Sequence, residues 1–494
     1  MTKYFKIKFK FKVMKLIKML SRFFRYLMMF IILISVQITS AKTSPGENLP
    51  EDQGKVFRAG AAMSNITPPL GVGIVGGWGT PSATHIHDEL HARCLVLDDS
   101  ETKLVFIIVD NLGLSREVID QAKGLITNET EIPASNVLIS AIHTHSGPRA
   151  EGDYQKFLVR RMADVVRIAL NNLEPANIGW GVGSVPDHVF VRRWVMKPGT
   201  DLPDPFGGQD RVKMNPGHNN PGLLKPAAEP DTDVSFISVK SKDGRPIALL
   251  GNYSLHYVGG VPSGHISADY FAVFADRIQE LLKADRQDPP FVGMMSNGTS
   301  GDVNNINYAG EPERNPPYAK MRRVAEDVAR EVFRVHNQIE FHDWVPLKAA
   351  CEELTLNVRK PDQKMIANAQ DVLKRPDDVK TNRPHEKVYA ERITRLLEWP
   401  DQIDIVLQTF GIGDLGIATT PFETFSDTGL EIKAKSPFKT TFTIELANGY
   451  YGYLPTPEQH ELGGYETWMG TSRVEKDASV KVVAKLLSMF SSIK

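Results

Sequence analysis

The chain has 494 residues, with 58 Lys and Arg against 59 Asp and Glu, so its formal net charge is -1 at pH 7. This balance excludes a globally basic nucleic-acid-binding protein. Hydrophobic residues make up 41% and charged residues 24%, which is the composition of a folded protein and excludes a disordered chain. The two cysteines, Cys94 and Cys351, are too few for a Cys-rich zinc site, so a metal would require His, carboxylate or phenolate ligands.

Residues 1–41 are predicted to be a secretory signal peptide. Lys and Arg recur as far as Arg25 without an acidic residue, and an apolar run at 27–36 follows. This run is shorter than the roughly 20 residues of a membrane-spanning helix, and small residues follow it where a peptidase would cleave. We therefore expect export, with 42–55 as a flexible start of the mature chain; an uncleaved anchor is the alternative. Whether the two cysteines pair after export is left open.

Beyond residue 56, short β-branched runs alternate with longer amphipathic segments, which predicts an α/β fold with a mixed β-sheet core and flanking helices. Predicted strands cover 103–109, 136–142, 234–239, 246–255, 291–295 and 405–418. Predicted helices cover 154–173, 269–282, 318–336, 363–373, 387–397 and 478–489. The irregular segments 197–229 and 307–317 are predicted to be loops at the rim of a site.

A pair of histidines, His143 and His145, directly follows the predicted strand 136–142. Side chains two residues apart on a strand point to the same face, so both imidazoles can enter one pocket if the strand continues that far. A His-x-His pair at a strand end is a common way to present imidazoles to a metal. A structural pair of hydrogen-bonded histidines is the alternative.

His256 and Glu423 also stand where predicted strands end. Taken alone, His256 would be interpreted as a structural histidine and Glu423 as an exposed surface carboxylate. In an α/β sheet, however, residues at the carboxyl ends of strands converge on one crevice. Three such ends that bear His, His and Glu therefore predict an open metal site, because two neutral imidazoles and one carboxylate are a known catalytic zinc set.

Two further segments are rich in potential site residues. Residues 447–466 contain four tyrosines and several glycines without helical or strand periodicity, which is typical of a loop whose phenols have a specific function. Residues 296–305 form a predicted tight turn with small polar side chains, and they lack the spacing of a phosphate-binding P-loop.

On these residues the sequence resembles the catalytic domain of neutral, non-lysosomal ceramidases, which are exported zinc amidases that cleave the N-acyl bond of ceramide. The resemblance is carried by His143-Thr-His-Ser-Gly-Pro148, Gly301-Asp-Val303, Pro421-Phe-Glu423 and the pair Tyr453 and Tyr465. It implies that residues 56–494 form a zinc hydrolase catalytic domain with one Zn²⁺ per chain. The implied substrate is a ceramide-like lipid or a related N-acyl conjugate.

The resemblance also implies roles for individual residues. His143, His256, Glu423 and Tyr453 resemble the zinc ligands, with Tyr453 as a phenolate. Tyr465 resembles the tyrosine that hydrogen-bonds the scissile carbonyl, and His145 resembles the second histidine, which faces the substrate. The stretch Val191-Arg-Arg-Trp194 resembles an arginine-bearing loop, so Arg193, and after it Arg192, is a candidate substrate contact.

The sequence departs from the family pattern at two places. Asn304 occupies the position of a serine that normally follows the Gly-Asp-Val turn close to the metal. The chain also ends at Lys494, so we expect it to lack the Ig-like C-terminal domain of well-known members. Without the serine, we expect a metal-activated water to attack the amide. Tyr465 would stabilise the carbonyl oxygen, His145 would supply a proton to the amine, and Asn304 would orient water or substrate.

Two other functions remain open at this point. A two-metal phosphoesterase would use the same histidines with Asp110, Asp269 and Asp302, since Asp and His at strand ends also build such centres. A non-catalytic surface binding protein derived from the hydrolase would explain Asn304 in place of serine. For the leading function we expect a lipid or N-acyl substrate, peripheral contact with a membrane and no nucleic acid partner.

Overall fold

The computed structural model describes residues 55–77, 79–376, 379, 381, 383 and 385–494. The predicted signal peptide and residues 42–54 lie outside this part of the chain. Among the described residues, no helix combines the length and the apolar character needed to cross a membrane.

The described chain contains many short strands and a smaller number of helices. The strands are β1 (Arg58–Asn65), β2 (Ile74–Val75), β3 (His85–Ile86), β4 (His91–Asp98), β5 (Lys103–Val109), β6 (Val137–Ala141), β7 (Gly147–Pro148), β8 (Glu174–Ser184), β9 (Phe190–Val191), β10 (Arg193–Met196), β11 (Val212–Met214), β12 (Leu223–Pro226), β13 (Asp233–Ser241), β14 (Pro246–Tyr253), β15 (His265–Ile266), β16 (Val292–Asn297), β17 (Val303–Asn304), β18 (Leu347–Asn357), β19 (Gln402–Ile412), β20 (Leu415–Thr419), β21 (Glu423–Thr424), β22 (Thr440–Ile444) and β23 (Tyr453–Leu454). The α-helices are α1 (Arg116–Thr130), α2 (Gly152–Asn171), α3 (Asp269–Leu281), α4 (Ala319–His336), α5 (Gln363–Lys374), α6 (Glu386–Glu398), α7 (Ser426–Lys435), α8 (Pro457–Leu462) and α9 (Ala478–Ile493).

The largest sheet has eight strands in the order β16-β14-β13-β8-β1-β4-β5-β6. Strands β1 and β8 pair only at Arg58 and Ala59, whereas β16 also contacts β4, β5 and β6. The sheet therefore folds back on itself at the β1–β8 junction, and its two halves face each other. Helices α1 and α2 cover the β1–β4 side and α3 and α4 cover the other, so both faces of each half are buried.

A second sheet, β18-β19-β20-β22, is covered by α9. Its own apolar core includes Leu407, Phe422, Leu486 and Phe490. A helical hairpin, α5 and α6, packs through a small cluster that includes Ala369, Val372, Ala390 and Ile393. This hairpin carries one side of the cavity described below.

The predicted α/β fold class is confirmed, but several elements differ from the predictions. The predicted single strand 405–418 is two antiparallel strands, β19 and β20, because Gly413 with φ 56° turns the chain between them. The predicted loop 197–229 contains the short strands β11 and β12. Helix α1 was not predicted at all. Cys94 and Cys351 are free thiols, the first fully buried.

Candidate metal centre

The loop after β6 positions His143, which is buried. Its backbone has φ 70°, a left-handed conformation that costs a non-glycine residue on the order of 1–3 kcal/mol and is concentrated at functional sites. The His143 backbone N–H donates to the Asn111 carbonyl at 2.9 Å, and its ring Nδ1 lies 2.8 Å from the Leu112 carbonyl. Because a carbonyl can only accept, Nδ1 carries the proton and the Nε2 lone pair is left for another partner.

His256 is held in the same manner from the other half of the sheet. Its Nδ1 lies 3.1 Å from the Ser300 carbonyl, which again leaves the Nε2 lone pair available. The Ser300 hydroxyl donates to Glu445 Oε1 at 2.6 Å, so a buried carboxyl group fixes the residue that orients His256. Such support of a ligating imidazole by a carbonyl or carboxyl group is common around protein-bound metals.

His145 completes a group of three imidazoles. The ligand atoms of His143, His145 and His256 lie within 4.8 Å of one another, and Nε2 of His145 is 3.2 Å from Nε2 of His143. Tyr257 stacks on the His145 ring with centroids 3.7 Å apart. Burial, and then the nearby His143, lowers the pKa of His145 well below its usual value, so the ring is neutral, which is the form that binds metals.

Glu423 and Tyr453 face each other across the two-stranded sheet β21–β23, where they are direct partners in register. The turn 298–304 packs against this sheet at Gly301, where a Cβ atom would lie 2.5 Å from the Glu423 carbonyl oxygen. Glu423 Oε2 lies 3.3 Å from Nε2 of His143 and 3.8 Å from Nε2 of His256. His143, His256 and Glu423, from distant parts of the chain, therefore meet at one point, and Tyr453 is paired with Glu423 on the neighbouring strand.

The Glu423 carboxyl group has the properties of a metal ligand. It is 1% exposed, and its Oε1 accepts a hydrogen bond from the Tyr450 hydroxyl at 2.6 Å. Its Oε2 has no hydrogen-bond partner among the described residues. Burial raises the pKa of this carboxyl, but His143 and the phenols of Tyr450 and Tyr453 outweigh burial and lower the pKa to about 2. A buried negative charge with an unpartnered oxygen is costly unless a cation binds there.

The donor set fits a single zinc ion. Zinc binds imidazole nitrogen and carboxylate oxygen at about 2.0–2.2 Å with tetrahedral geometry, so two of its ligand atoms are roughly 3.3 Å apart. The distance from Glu423 Oε2 to His143 Nε2 is 3.3 Å. Burial, and then the Glu423 charge, raises the pKa of Tyr453 well above its usual value, so a Tyr453 phenolate would need a cation beside it.

Two adjacent arginines behave differently at this site. Arg192 donates from Nη2 to the Tyr453 hydroxyl at 3.0 Å and to the Gly301 carbonyl at 2.8 Å. Arg193 is fully buried and points elsewhere: its Nη1 donates to Glu466 at 2.6 Å and its Nη2 to the Gly463 carbonyl at 2.7 Å. The geometry thus places Arg192, and not the first candidate Arg193, beside the predicted metal ligands.

Tyr465 and Asn304, the other predicted site residues, have different surroundings. Tyr465 lines the cavity above the histidines, with its ring centroid 5.9 Å from that of Tyr453. The Asn304 side chain donates to Asn215 at 2.9 Å and accepts from the Ile306 backbone N–H at 3.0 Å. Asn304 is not among the residues that line the cavity, because its amide is used to fix the neighbouring loop.

A cavity of about 410 Å³ opens over this cluster. Its lower part, which we call the floor, consists of His143, His145, Glu423, Tyr450, Tyr453 and Tyr465. One side, which we call the wall, comes from α6 and the chain around it and consists of Arg392, Arg395, Leu396, Trp399 and Arg473. Arg149 also lines the cavity.

No protein-family model matches the chain. Neutral ceramidase A of Dictyostelium discoideum is 23% identical over 287 residues, which cover 55% of this chain and 39% of that protein. The crystal structure of neutral ceramidase from Pseudomonas aeruginosa superposes with a TM-score of 0.64 at 15% identity, over 89% of this chain and 74% of that one. A structure of a ceramidase complexed with C2 gives a TM-score of 0.66 at 14% identity, with 89% and 75% coverage.

The matches support the neutral ceramidase family. They agree with the predicted resemblance and with the mixed α/β fold. The chain spans about two fifths of the length of the curated relative that it matches. At these identities the likeness to the solved structures shows the fold, and the activity, the substrate and the metal of this chain are treated as proposals below.

The three aspartates of the two-metal alternative lie in other environments. Both carboxylate oxygens of Asp110 accept from Arg93, at 2.7 and 2.6 Å. Asp269 accepts from the backbone N–H groups of Val258 and Gly259. Asp302 accepts from the Ser426 backbone N–H at 2.8 Å. Each carboxylate is already occupied by a structural partner, so the geometry does not favour a second metal.

Sequence reasoning did not identify Tyr450 or the arginines of the wall. Tyr450 was visible only as one of four tyrosines in a segment without periodicity. Arg392, Arg395 and Leu396 recur three and four residues apart on α6, a spacing that places them on one face of the helix. That pattern was readable, but nothing in it indicated that this face lines a cavity.

Proposed function

We propose that this protein is an exported, zinc-dependent hydrolase that cleaves the N-acyl amide bond of a ceramide-like lipid or a related conjugate. The observation that carries the proposal is Glu423 Oε2, a buried and unpartnered carboxylate oxygen that faces the available Nε2 atoms of His143 and His256. The match to neutral ceramidases supports the choice of an amide bond.

His143, His256, Glu423 and Tyr453 are the residues that would hold the zinc ion. When bound, zinc lowers the pKa of a coordinated water from 15.7 to about 7 and polarises a carbonyl oxygen. Arg192 would stabilise the deprotonated phenol of Tyr453, because a guanidinium at 3.0 Å favours the charged form. His145 lies beside the ligands and, as a neutral imidazole, would relay the proton that the departing amine requires.

Tyr465 would donate a hydrogen bond to the scissile carbonyl as negative charge develops there. Burial, and then the Glu423 charge, raises the pKa of its phenol, so the group keeps its proton at neutral pH and can act as a donor. A preorganised donor of this kind contributes about 2.7–4 kcal/mol to transition-state stabilisation.

Export rests on the basic and then apolar start of the chain, residues 1–41, and peripheral membrane contact would follow from a lipid substrate. A non-catalytic binding protein is the remaining candidate, favoured by the use of Asn304 in a structural hydrogen-bond network. Metal binding without hydrolysis would support it.

The test uses the mature chain, purified and loaded with Zn²⁺, with ceramide and a panel of N-acyl amides and esters as substrates. We expect about one zinc per chain and hydrolysis of amides. His143→Ala should lose both, whereas His218→Ala, which changes a histidine outside the cluster, should keep both. Zinc retained by His143→Ala would contradict the ligand assignment, and a zinc-loaded chain inactive on the whole panel would favour the binding protein.

A further inference from the structure

The wall of the cavity carries an excess of positive charge. Arg392, Arg395 and Arg473 belong to it, and Arg149, which pairs with Glu151, also lines the cavity, whereas Glu423, a proposed metal ligand, is the single acidic residue among the described lining residues. A ceramide carries no charge, so a substrate pocket for it would gain nothing from four guanidinium groups. Such groups are costly to bring together, since like charges at short range repel.

The arginines of the wall are not neutralised by carboxylates. Arg392 donates to the hydroxyl groups of Thr471 and Tyr389, at 2.7 and 3.1 Å. Arg473 donates from Nε to the Gly470 carbonyl and lies over the Trp399 ring, 5.2 Å from its centroid. Among the described residues, neither these two nor Arg395 makes an ion pair with Asp or Glu within 4.0 Å. This differs from surface arginines such as Arg330, which pairs with Glu326.

The charges of the wall act on one another and on the floor. Burial and the charges of Arg392 and Arg395 lower the pKa of Arg473. The phenol of Tyr450 and the charge of Glu423 raise this pKa and oppose them. The positive charge of Arg392 likewise acts on Tyr465. The wall and the floor therefore share one electrostatic environment, and a bound zinc ion would add further positive charge to it.

The spacing of the residues on α6 places the positive charges beside apolar side chains. Arg392 and Arg395 are one turn apart on the face that also carries Leu396, and Trp399, which directly follows the helix, lines the same cavity. Guanidinium groups bind oxyanions with two parallel N–H donors, and the neighbouring apolar side chains exclude water from such a contact. Arg395 is exposed at the mouth and Arg392 is half-buried, so an anion would be recognised at the entrance of the cavity.

We propose that the wall binds an oxyanion on the substrate, so that the preferred substrates are N-acyl conjugates carrying a carboxylate or a phosphate rather than uncharged ceramides. This inference rests on the proposed amidase function and specifies its substrate class. Phosphate groups of a membrane surface would offer the same chemistry, and the experiment separates the two sources.

The experiment compares N-dodecanoylglycine with N-dodecanoylglycinamide, which differ only in the charge of the glycine end. Both are used as dilute monomers without vesicles. We expect kcat/KM to be at least about 10-fold higher for the carboxylate. The double variant Arg392→Gln, Arg395→Gln should lose most of this preference, measured as the ratio of its kcat/KM values for the two compounds. The control Arg330→Gln should behave as the unchanged protein.

A preference of one or less in the unchanged protein would overturn the inference. A preference for N-dodecanoylglycine that persists in the double variant would also overturn the inference, because the metal and not the wall would then bind the carboxylate. If the double variant loses only binding to phosphatidylglycerol vesicles, the arginines recognise a membrane and the substrate claim is wrong.

The outcome is distinguishable from failure of the proposed function. If neither compound is hydrolysed, isothermal titration calorimetry with the same pair measures binding directly. Tighter binding of the glycine conjugate that weakens about 10-fold or more in the double variant would support the anion site even though the amidase proposal had failed. Equal binding of both compounds would reject it.

Discussion

The floor and the wall of the cavity are built on different principles. In the floor, the polar side chains are buried or half-buried, and His143 and Glu423 are each fixed by a second group, the Leu112 carbonyl and the Tyr450 hydroxyl. In the wall, Arg392, Arg395 and Arg473 lie on and around a peripheral helix, with fewer and weaker partners. The proposed hydrolysis would therefore use side chains at strand ends, where the geometry is rigid. The proposed substrate recognition would use a peripheral helix, which can vary in sequence without disturbing the fold.

The strongest test of this contrast is removal of the floor carboxylate. In Glu423→Ala we expect zinc affinity to fall by more than about 100-fold and hydrolysis to be lost, because even residues that only support ligands contribute 10–100-fold to affinity. Zinc content after dialysis and amide turnover are the readouts. Glu458→Gln, an exposed carboxylate on α8, is the matched control. Unchanged zinc in Glu423→Ala would remove this residue from the ligand set.

The next prediction concerns a carboxylate below the floor that we regard as structural. Asp110→Ala leaves the buried Arg93 guanidinium without its partner, so the free energy of unfolding should fall by about 3–5 kcal/mol. Chemical denaturation measures this, and the exposed Asp120→Ala should cost less than about 1 kcal/mol. We also expect the folded variant to keep its zinc. Loss of one of two bound metals in Asp110→Ala would revive the two-metal alternative.

Tyr465 tests whether the upper part of the floor takes part in chemistry. Tyr465→Phe should lower kcat by about 10²–10³-fold with unchanged zinc content, because the phenol acts only as charge develops on the carbonyl. Steady-state kinetics on the best substrate from the panel is the measurement. Tyr451→Phe, in the same segment but outside the cavity lining, is the control. Equal rates in Tyr465→Phe and the unchanged protein would exclude the proposed role.

A pH-dependent effect is expected at Lys123, which supports the floor from below. Its ammonium donates to Asn448 at 2.8 Å, and burial lowers the pKa of Lys123 from 10.5 to about 8. Between pH 8 and pH 10.5 the unfolded state binds more protons at Lys123 than the folded state does, so the contribution of Lys123 to the free energy of unfolding rises with pH. Below pH 8 this contribution is constant. Relative to Lys123→Met, the unchanged protein should gain roughly 3 kcal/mol between pH 8 and 10.5. A difference independent of pH would mean that the Lys123 pKa is not lowered.

The smallest effect on the fold is expected in the wall. Arg395 is exposed and makes no ion pair among the described residues, so Arg395→Gln should change the free energy of unfolding by less than about 0.5 kcal/mol. Zinc content should also be unchanged. Thermal unfolding and metal analysis check both. A variant that unfolds readily or loses zinc would show that the wall supports the floor, and the distinction between the two regions would fail.

The sequence was most informative about the floor. His143, His256 and Glu423 could be singled out because each directly follows an apolar run, and strand ends are where side chains converge. The reason for their convergence was not predictable. Five of the six pairings between β6 and β14 are antiparallel, so these strands run in opposite directions, and the two histidines meet because the sheet folds back on itself.

Other parts of the site depended on tertiary contacts that leave no local pattern. Arg192 and Arg193 are neighbours in sequence and both donate to Glu466, so no local pattern shows that Arg192 is the one that also reaches Tyr453. Asn304 was predicted to contact water or substrate, but Asn215 and Tyr308 engage its amide. The wall was missed because an amphipathic pattern on α6 does not reveal which surface its polar face will cover.

The most direct test of the metal centre is a crystal structure of the zinc-loaded protein with anomalous diffraction recorded at the zinc edge. We predict one anomalous peak about 2.0–2.2 Å from His143 Nε2, His256 Nε2, Glu423 Oε2 and the Tyr453 hydroxyl oxygen, with His145 outside the coordination shell. A peak coordinated by all three histidines without Glu423, or two peaks close together, would contradict the account.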